Sequence, residues 1–196
     1  MTASSGPRAS IDKKYPKEIL LPDGREVLIR PPGKADADGL LGLFQRLPLI
    51  ERWCFGEDPC ERGVVEGWID RHLEGRTFGI LALCEDEVVG FGAILRPGYG
   101  GRRHTSTLQL AVLPPFRKLG LCTWMTLDLI RRAMEFDIET LRADLVMGLE
   151  NDVIETLGQC AFVERCVVED GFRCPDGMCY VTVVMTRTLY PTWGDF

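Results

Sequence analysis

The sequence predicts a single mixed α/β domain of the α+β class, with a mostly antiparallel sheet of about seven strands flanked by about four helices. Three observations favour this class. Segments rich in β-branched and aliphatic residues alternate with segments whose apolar residues recur at helical spacing. Several strands follow one another through short polar turns, which is typical of antiparallel hairpins. The chain has 196 residues, 45% of them hydrophobic, which suits one sizeable core.

The first elements follow from turn residues and apolar spacing. Pro22-Asp23-Gly24 forms a turn before a strand over residues 25–30. Asp36 or Asp38 can cap a helix that carries apolar residues as far as Leu47. A loop over residues 48–59 follows, and a second amphipathic helix covers residues 61–74.

The centre of the chain contains three predicted strands. Two of them are separated only by the polar Glu85-Asp86-Glu87, which predicts a tight hairpin. A glycine-rich loop precedes the third strand, which ends at Pro114-Pro115. The three strands cover residues 77–84, 88–95 and 103–113.

The C-terminal part alternates helices and strands before a final hairpin around Pro175-Asp176-Gly177. The predicted elements are helices at 120–136 and 152–159 and strands at 141–147, 162–172 and 178–188. A strand, a helix and a strand in succession indicate a local β-α-β unit. We expect a domain over residues 18–190, a flexible leader at 1–17 and a tail at 191–196. Trp193 and Phe196 in this tail could cover a sheet edge or join a homodimer contact.

Composition and charge exclude several classes of protein. The net charge of −6 and the pI near 5.1 disfavour a nucleic-acid partner and suit a cationic partner such as an amine. No apolar run approaches the ~20 residues of a membrane helix, so we expect no membrane partner. Eight cysteines without a C-x-x-C pair and only two histidines predict a reduced cytoplasmic protein without a metal site.

The segment most informative about function joins the strand at 103–113 to the helix that follows it. Its loop carries Arg117, Lys118 and Gly120 directly before the helix. The unpaired amides of a first helical turn bind anions, and the two cations suit phosphate oxygens. Gly120 lets the backbone approach a bulky ligand because it lacks a Cβ. The alternative is that Gly120 only begins a helix and that both cations are solvated.

This segment and the order of elements resemble the GNAT superfamily, the acyl-CoA-dependent N-acyltransferases. Val112-Leu113-Pro114 matches the V-x-P of the family's signature strand. The stretch from Arg117 to Cys122 matches [QR]-x-x-G-x-[GA] except at its last position. The start of the domain, residues 21–31, is similar to the L-x-D-G-x-x-V-x-I-R-P opening of a bacterial subset. The resemblance covers about residues 19–190.

The resemblance implies acetyl-CoA as co-substrate and assigns roles to named residues. The pyrophosphate would bind the amides of Arg117, Lys118, Leu119, Gly120, Leu121 and Cys122. The pantetheine arm would pair with the backbone of Leu110, Ala111 and Val112, in a slot where the next strand splays away. Asn151 stands where some members contact the pantetheine, although it can equally be a helix cap.

Departures from the family pattern leave the proton-transfer groups unassigned. Thr107 stands where many members of the subset carry a glutamate base, and no tyrosine lies near Gly158, where several members carry a general acid. His104 and Glu66 are the substitutes we name as catalytic candidates, each with the alternative of an exposed, solvated side chain. Cys122 replaces a glycine or alanine, and its place at a helix start also raises the alternative of a nucleophilic thiol.

The sequence therefore predicts transfer of an acetyl group from acetyl-CoA to a primary amine, of a small molecule or a protein, by direct attack in a ternary complex. The first alternative is a GNAT-like module that binds acyl-CoA as a sensor or interaction partner without transfer. The second is an interaction domain that binds no CoA. Trp53, Phe55 and Trp68 can form an aromatic wall for an acceptor or pack in the core.

Overall fold

The computed structural model describes residues 14–136 and 138–189 and confirms the predicted fold class. Within these residues one eight-stranded sheet is accompanied by five helices. The strands are β1 Lys17–Leu20, β2 Glu26–Arg30, β3 Thr77–Cys84, β4 Glu87–Leu95, β5 Thr105–Val112, β6 Thr140–Val146, β7 Val163–Arg173 and β8 Cys179–Thr188. The helices are α1 Ala37–Arg46, α2 Leu49–Arg52, α3 Arg62–Leu73, α4 Leu121–Glu135 and α5 Asn151–Gln159. None of the helices in the described ranges has the length and apolarity to span a membrane.

The sheet has the order β1-β2-β3-β4-β5-β6-β8-β7. Every neighbouring pair is antiparallel except β5 and β6, which are parallel. They are parallel because α4 crosses from the end of β5 to the start of β6, as the predicted β-α-β unit requires. The strand that begins the C-terminal hairpin, β7, lies at the sheet edge.

Two elements are additional to those predicted. The strand β1 pairs with β2 from Lys17↔Ile29 to Leu20↔Glu26, and its four residues carry no pattern that distinguishes them from a loop. The one-turn helix α2 lies inside the predicted loop at 48–59. Both are too short for a periodic signal, so they form only because tertiary contacts support them.

Part of the expected leader belongs to the fold. The Tyr15 hydroxyl and the Lys17 ammonium group both donate hydrogen bonds to the Asp128 carboxylate on α4. Burial, followed by the bond to Asp128, raises the pKa of Tyr15, so its hydroxyl stays protonated and donates. The rest of the leader and the tail with Trp193 and Phe196 lie outside the described residues.

Successive residues of β4 face opposite sides of the sheet, and helices pack on both sides. The Phe91 ring lies 5.7 Å from that of Phe44 on α1 and 5.6 Å from that of Trp68 on α3. On the other face, a Cβ added to Gly92 would lie 2.8 Å from Leu129 of α4, so α4 packs directly on the backbone there. Phe55 and Trp68 therefore pack against the core, although Phe55 also lines a cavity, whereas Trp53 is 49% exposed.

The parallel strands β5 and β6 diverge after a short contact. Their pairing covers only Thr105–Thr107 with Thr140–Arg142, although β5 continues to Val112 and β6 to Val146. Beyond that point β5 pairs only with β4, and β6 pairs only with β8. The predicted splay is thus confirmed, and it leaves one backbone edge of β5 without a strand partner.

Candidate active site

The loop between β5 and α4 turns back on itself and presents unpaired amides. Lys118 and Gly120 both adopt left-handed backbone conformations, with φ of 58° and 80°. The first backbone hydrogen bond of α4 joins the Trp124 amide to the Gly120 carbonyl at 3.0 Å. Within residues 14–136 and 138–189, the amides of residues 118–123 have no hydrogen-bond acceptor. Together with the dipole of the helix, these amides form a site for an anion.

A cavity of about 460 Å³ opens beside this loop and extends along the unpaired edge of β5. It brings together seven of the ten predicted CoA-binding residues: Leu110, Ala111, Val112, Arg117, Lys118, Gly120 and Cys122. Of the other three, Leu121 is fully buried, so only its backbone is available to a ligand, and Leu119 is partly buried. The Asn151 amide oxygen accepts a hydrogen bond from the Gly148 amide at 2.8 Å, which is a turn-stabilising role.

The Arg117 side chain is already paired with a carboxylate across the cavity. Its two terminal nitrogens lie 3.0 and 2.5 Å from the oxygens of Glu51, and its Nε donates to the Val112 carbonyl at 2.9 Å. Glu51 lies on α2, so the sequence alone gave no reason to place it here. The Lys118 side chain, by contrast, is 77% exposed. Its ammonium nitrogen lies 3.6 Å from the Asp152 carboxylate, which is too far for a hydrogen bond, so its charge stays available to a ligand at the cavity mouth.

The Cys122 thiol lines the first cavity close to the start of α4 and is not held as a reactive thiolate. Burial raises the pKa of Cys122 to about 11, and the neighbouring Thr156 and Thr126 side chains oppose this rise. The thiol is therefore protonated at neutral pH, which argues against a nucleophilic role.

A second cavity of about 190 Å³ lies between the diverging halves of β5 and β6. Its wall includes Thr107 and Gln109 from β5 and Asp144 from β6. Leu110, Glu150 and Val153 line both this cavity and the first one. The two cavities are thus adjacent, and three side chains form the wall between them.

Glu150 in this wall is a partly buried acid that the sequence pattern did not indicate. It occupies the position before the first residue of α5, and its Oε2 accepts a hydrogen bond from the Val146 amide at 2.8 Å. Burial raises the pKa of Glu150 to about 7. The hydrogen bond from the Val146 amide and the nearby Cys54 thiol oppose this rise, whereas the charge of Glu51 adds to it. A glutamate in the loop between a strand and a helix is usually solvated, so the sequence position of Glu150 does not indicate that its side chain becomes buried when the helices pack.

This raised pKa predicts how stability changes with pH. Unfolding returns the carboxyl group to its ordinary pKa of about 4.3, so ionisation costs free energy only in the folded state. We expect Glu150→Gln to gain stability over the native protein as pH rises from 5 to 8, by up to about 3 kcal/mol. Urea unfolding of both proteins at pH 5 and pH 8 measures this gain. A difference that stays constant with pH would contradict the prediction.

The structure does not bring His104 and Glu66 to these cavities. His104 is exposed and precedes β5, at the opposite end from Val112, which is roughly 25 Å away for eight extended residues. Glu66 is exposed on α3 and lies 3.6 Å from Arg62. Neither side chain lines either cavity.

No group of three potential metal ligands occurs among the described residues, and all eight cysteines are free thiols.

Comparison with known proteins adds two findings. The profile of the acetyltransferase (GNAT) family matches residues 44–162, more than half of the chain. None of the curated proteins compared with the chain matches it.

Solved structures share the fold at low sequence identity. A GNAT-family acetyltransferase from Streptococcus pneumoniae has 17% identity and a TM-score of 0.73, covering 83% of this chain and 99% of its own. The ribosomal-protein-alanine N-acetyltransferase from Brucella melitensis has 22% identity and a TM-score of 0.71, with coverage of 83% and 99%. For yncA from Salmonella typhimurium, solved with its cofactor acetyl-CoA, the values are 14% and 0.74, with coverage of 87% and 98%.

Proposed function

Because this chain belongs to the GNAT family of acetyltransferases, we propose that it transfers the acetyl group of acetyl-CoA to a primary amine by direct attack within a ternary complex. One observation carries the proposal. Six consecutive residues, 118–123, have unpaired amides, and four of them line a cavity that continues along the unpaired edge of β5. This arrangement suits a ligand that has phosphates at one end and an amide-containing arm at the other.

Different residues of this site bind different parts of acetyl-CoA. The loop amides and the Lys118 ammonium group bind the pyrophosphate, because both supply hydrogen-bond donors to anionic oxygens. The unpaired edge of β5 at Leu110, Ala111 and Val112 pairs with the pantetheine amides as a neighbouring strand would. The thioester then lies near the fork between β5 and β6, where the two cavities meet.

The acceptor reaches the thioester from the second cavity. Its wall combines the carboxylates of Asp144 and Glu150 with the polar side chains of Thr107 and Gln109, and this combination suits an ammonium group. The Brucella melitensis relative is described as acting on an alanine of a ribosomal protein. For this chain we propose only the class of acceptor, a primary amine of a small molecule or of a protein.

Calorimetric titration with acetyl-CoA, followed by measurement of CoA thiol release, tests this function. We expect binding with a Kd of about 1–100 μM and thiol release with at least one member of an amine panel. The panel contains an alkyl diamine, free amino acids and peptides with lysine or N-terminal alanine. Tight binding without release from any amine would favour an acyl-CoA-binding module. No binding at millimolar acetyl-CoA would overturn the proposal.

The pairing of Arg117 with Glu51 predicts a non-additive effect on acetyl-CoA binding. Arg117→Ala leaves the Glu51 carboxylate unneutralised beside the phosphate site, so we expect affinity to fall about tenfold. Adding Glu51→Gln removes that charge and restores most of the affinity. Calorimetric titration of both single variants and the double variant measures the coupling. A double variant as weak as Arg117→Ala would show that the exposed carboxylate is not the cause.

A further inference from the structure

The acids around the two cavities differ in whether a cation neutralises them. Glu51 is paired with Arg117 at 2.5 Å, and Asp144 is paired with Arg142 at 2.8 Å. Asp152 lies 3.6 Å from Lys118. Among the described residues, Glu150 has no cationic partner, and it is the acid that lines both cavities.

The carboxylate of Glu150 is held in one orientation at the fork of the sheet. Its Oε2 accepts the amide hydrogen of Val146, the last residue of β6, at 2.8 Å. The Cys54 thiol, which follows α2, lies nearby, and its S–H donates to the Ile50 carbonyl at 3.9 Å. A carboxylate with one fixed donor still has lone pairs available, and here they adjoin the space between the strands.

We propose that Glu150 is the catalytic base of this reaction, the group that takes a proton from the acceptor ammonium where the two cavities meet. The inference rests on the proposed function, because it concerns the same transfer. Its grounds are the position of Glu150 in both walls, its fixed orientation and its freedom from any ion pair. A carboxylate already held by an arginine is a weaker proton acceptor, because the ion pair favours its charged form.

The transfer removes two protons from the acceptor nitrogen. An alkylammonium ion with a pKa near ~10 carries three protons on nitrogen, and the product amide keeps one. One proton passes to the Glu150 carboxylate and then to solvent. The neutral nitrogen attacks the thioester carbonyl carbon, a carbon–nitrogen bond forms and the carbon–sulfur bond breaks. The second proton leaves the nitrogen and is taken up by the departing sulfur, which gives CoA thiol and the amide.

The surroundings of Glu150 suit this role near neutral pH. Burial is the main cause of its pKa of about 7, and the charge of Glu51 on α2 acts in the same direction. The other charged or titratable groups that line the same two cavities are Cys54, Cys122, Asp144, Asp152, Glu155, Arg117 and Lys118. A base whose pKa lies near the working pH combines a sizeable ionised fraction with real affinity for a proton.

Comparison of Glu150→Gln with the native protein tests the proposal, using an amine that the native protein acetylates. We expect kcat/KM at pH 7 to fall by about 10²–10⁴-fold while the Kd for acetyl-CoA stays within about threefold. In the native protein kcat/KM should level off above pH 7, whereas in Glu150→Gln it should keep rising, because without the base the reaction depends on the neutral fraction of the amine. Activity toward a weakly basic amine such as hydroxylamine, which is neutral at pH 7, should fall far less. Glu164→Gln, an exposed carboxylate on β7, serves as control with unchanged kinetics.

Glu150→Asp keeps a carboxylate at this position, so it distinguishes loss of the base from a disturbance of the local structure. We expect it to be at least about tenfold more active than Glu150→Gln and to keep the levelling of kcat/KM at higher pH. The proposal is overturned if Glu150→Gln retains its rate and its pH profile, or if Glu150→Asp is no more active than Glu150→Gln. If the native protein binds acetyl-CoA but acetylates no amine, the proposed function itself fails, and that result is distinct from either outcome.

Discussion

Replacing Gly120 with aspartate is expected to weaken acetyl-CoA binding at least about 100-fold. Gly120 is the residue before α4, and a Cβ added there meets no other atom within 4 Å. The aspartate side chain therefore fits, but its carboxylate competes with phosphate for the unpaired amides of the first helical turn. Losing two charge-assisted hydrogen bonds of about 1.5 kcal/mol each accounts for a change of this size. Calorimetric titration with acetyl-CoA measures it.

Gly120→Asn is the matched control for this experiment. Asparagine has the shape of aspartate without the charge, and it tolerates the left-handed φ of 80° better than most residues. We expect its affinity for acetyl-CoA to fall less than about tenfold. Both variants should unfold at similar temperatures, because aspartate and asparagine are both good helix caps. Equal binding by the two variants would show that the phosphates do not sit on this loop.

Replacing Arg132 with alanine is expected to reduce the free energy of unfolding by about 3–5 kcal/mol. Arg132 is only 1% exposed, although it carries a full charge. It is ion-paired with Glu135, and its guanidinium carbon lies 4.4 Å from the centroid of the Phe78 ring. Truncation removes this ion pair, although Lys14 still contacts Glu135, and opens a cavity against the aromatic ring. Urea unfolding at pH 7 measures the loss.

Arg131→Ala provides the control for this loss because Arg131 is the exposed neighbour on the same helix. Its substitution should change the unfolding free energy by less than about 0.5 kcal/mol. Arg132 lies on the last turns of α4, away from the loop that begins the helix. We therefore expect the folded Arg132→Ala protein to keep its affinity for acetyl-CoA. An unfolding loss below about 1 kcal/mol would contradict the importance of this buried charge.

The predicted elements match the structure where local pattern is strong. The hairpin around residues 85–87 is confirmed because two consecutive turn residues, Glu85 and Asp86, take the positive φ values that a tight turn needs. The helix at 120–136 is confirmed as α4 to within a residue at each end. The strand β1 and the helix α2 were missed because four residues are too few for a periodic signal, and their partners lie elsewhere in the chain.

The site also contains parts that local sequence indicates and parts that depend on tertiary contacts. The loop that carries Arg117, Lys118 and Gly120 could be recognised from the sequence alone, because the residues that form an anion site at a helix start are neighbours in the chain. The sequence could not place Glu51 on Arg117, since 66 residues separate them. Nor could it distinguish Glu150 from the exposed acids around it. Its burial exists only once β5 and β6 diverge and α2 and α5 pack beside them, because desolvation depends on every group that surrounds a carboxylate in space.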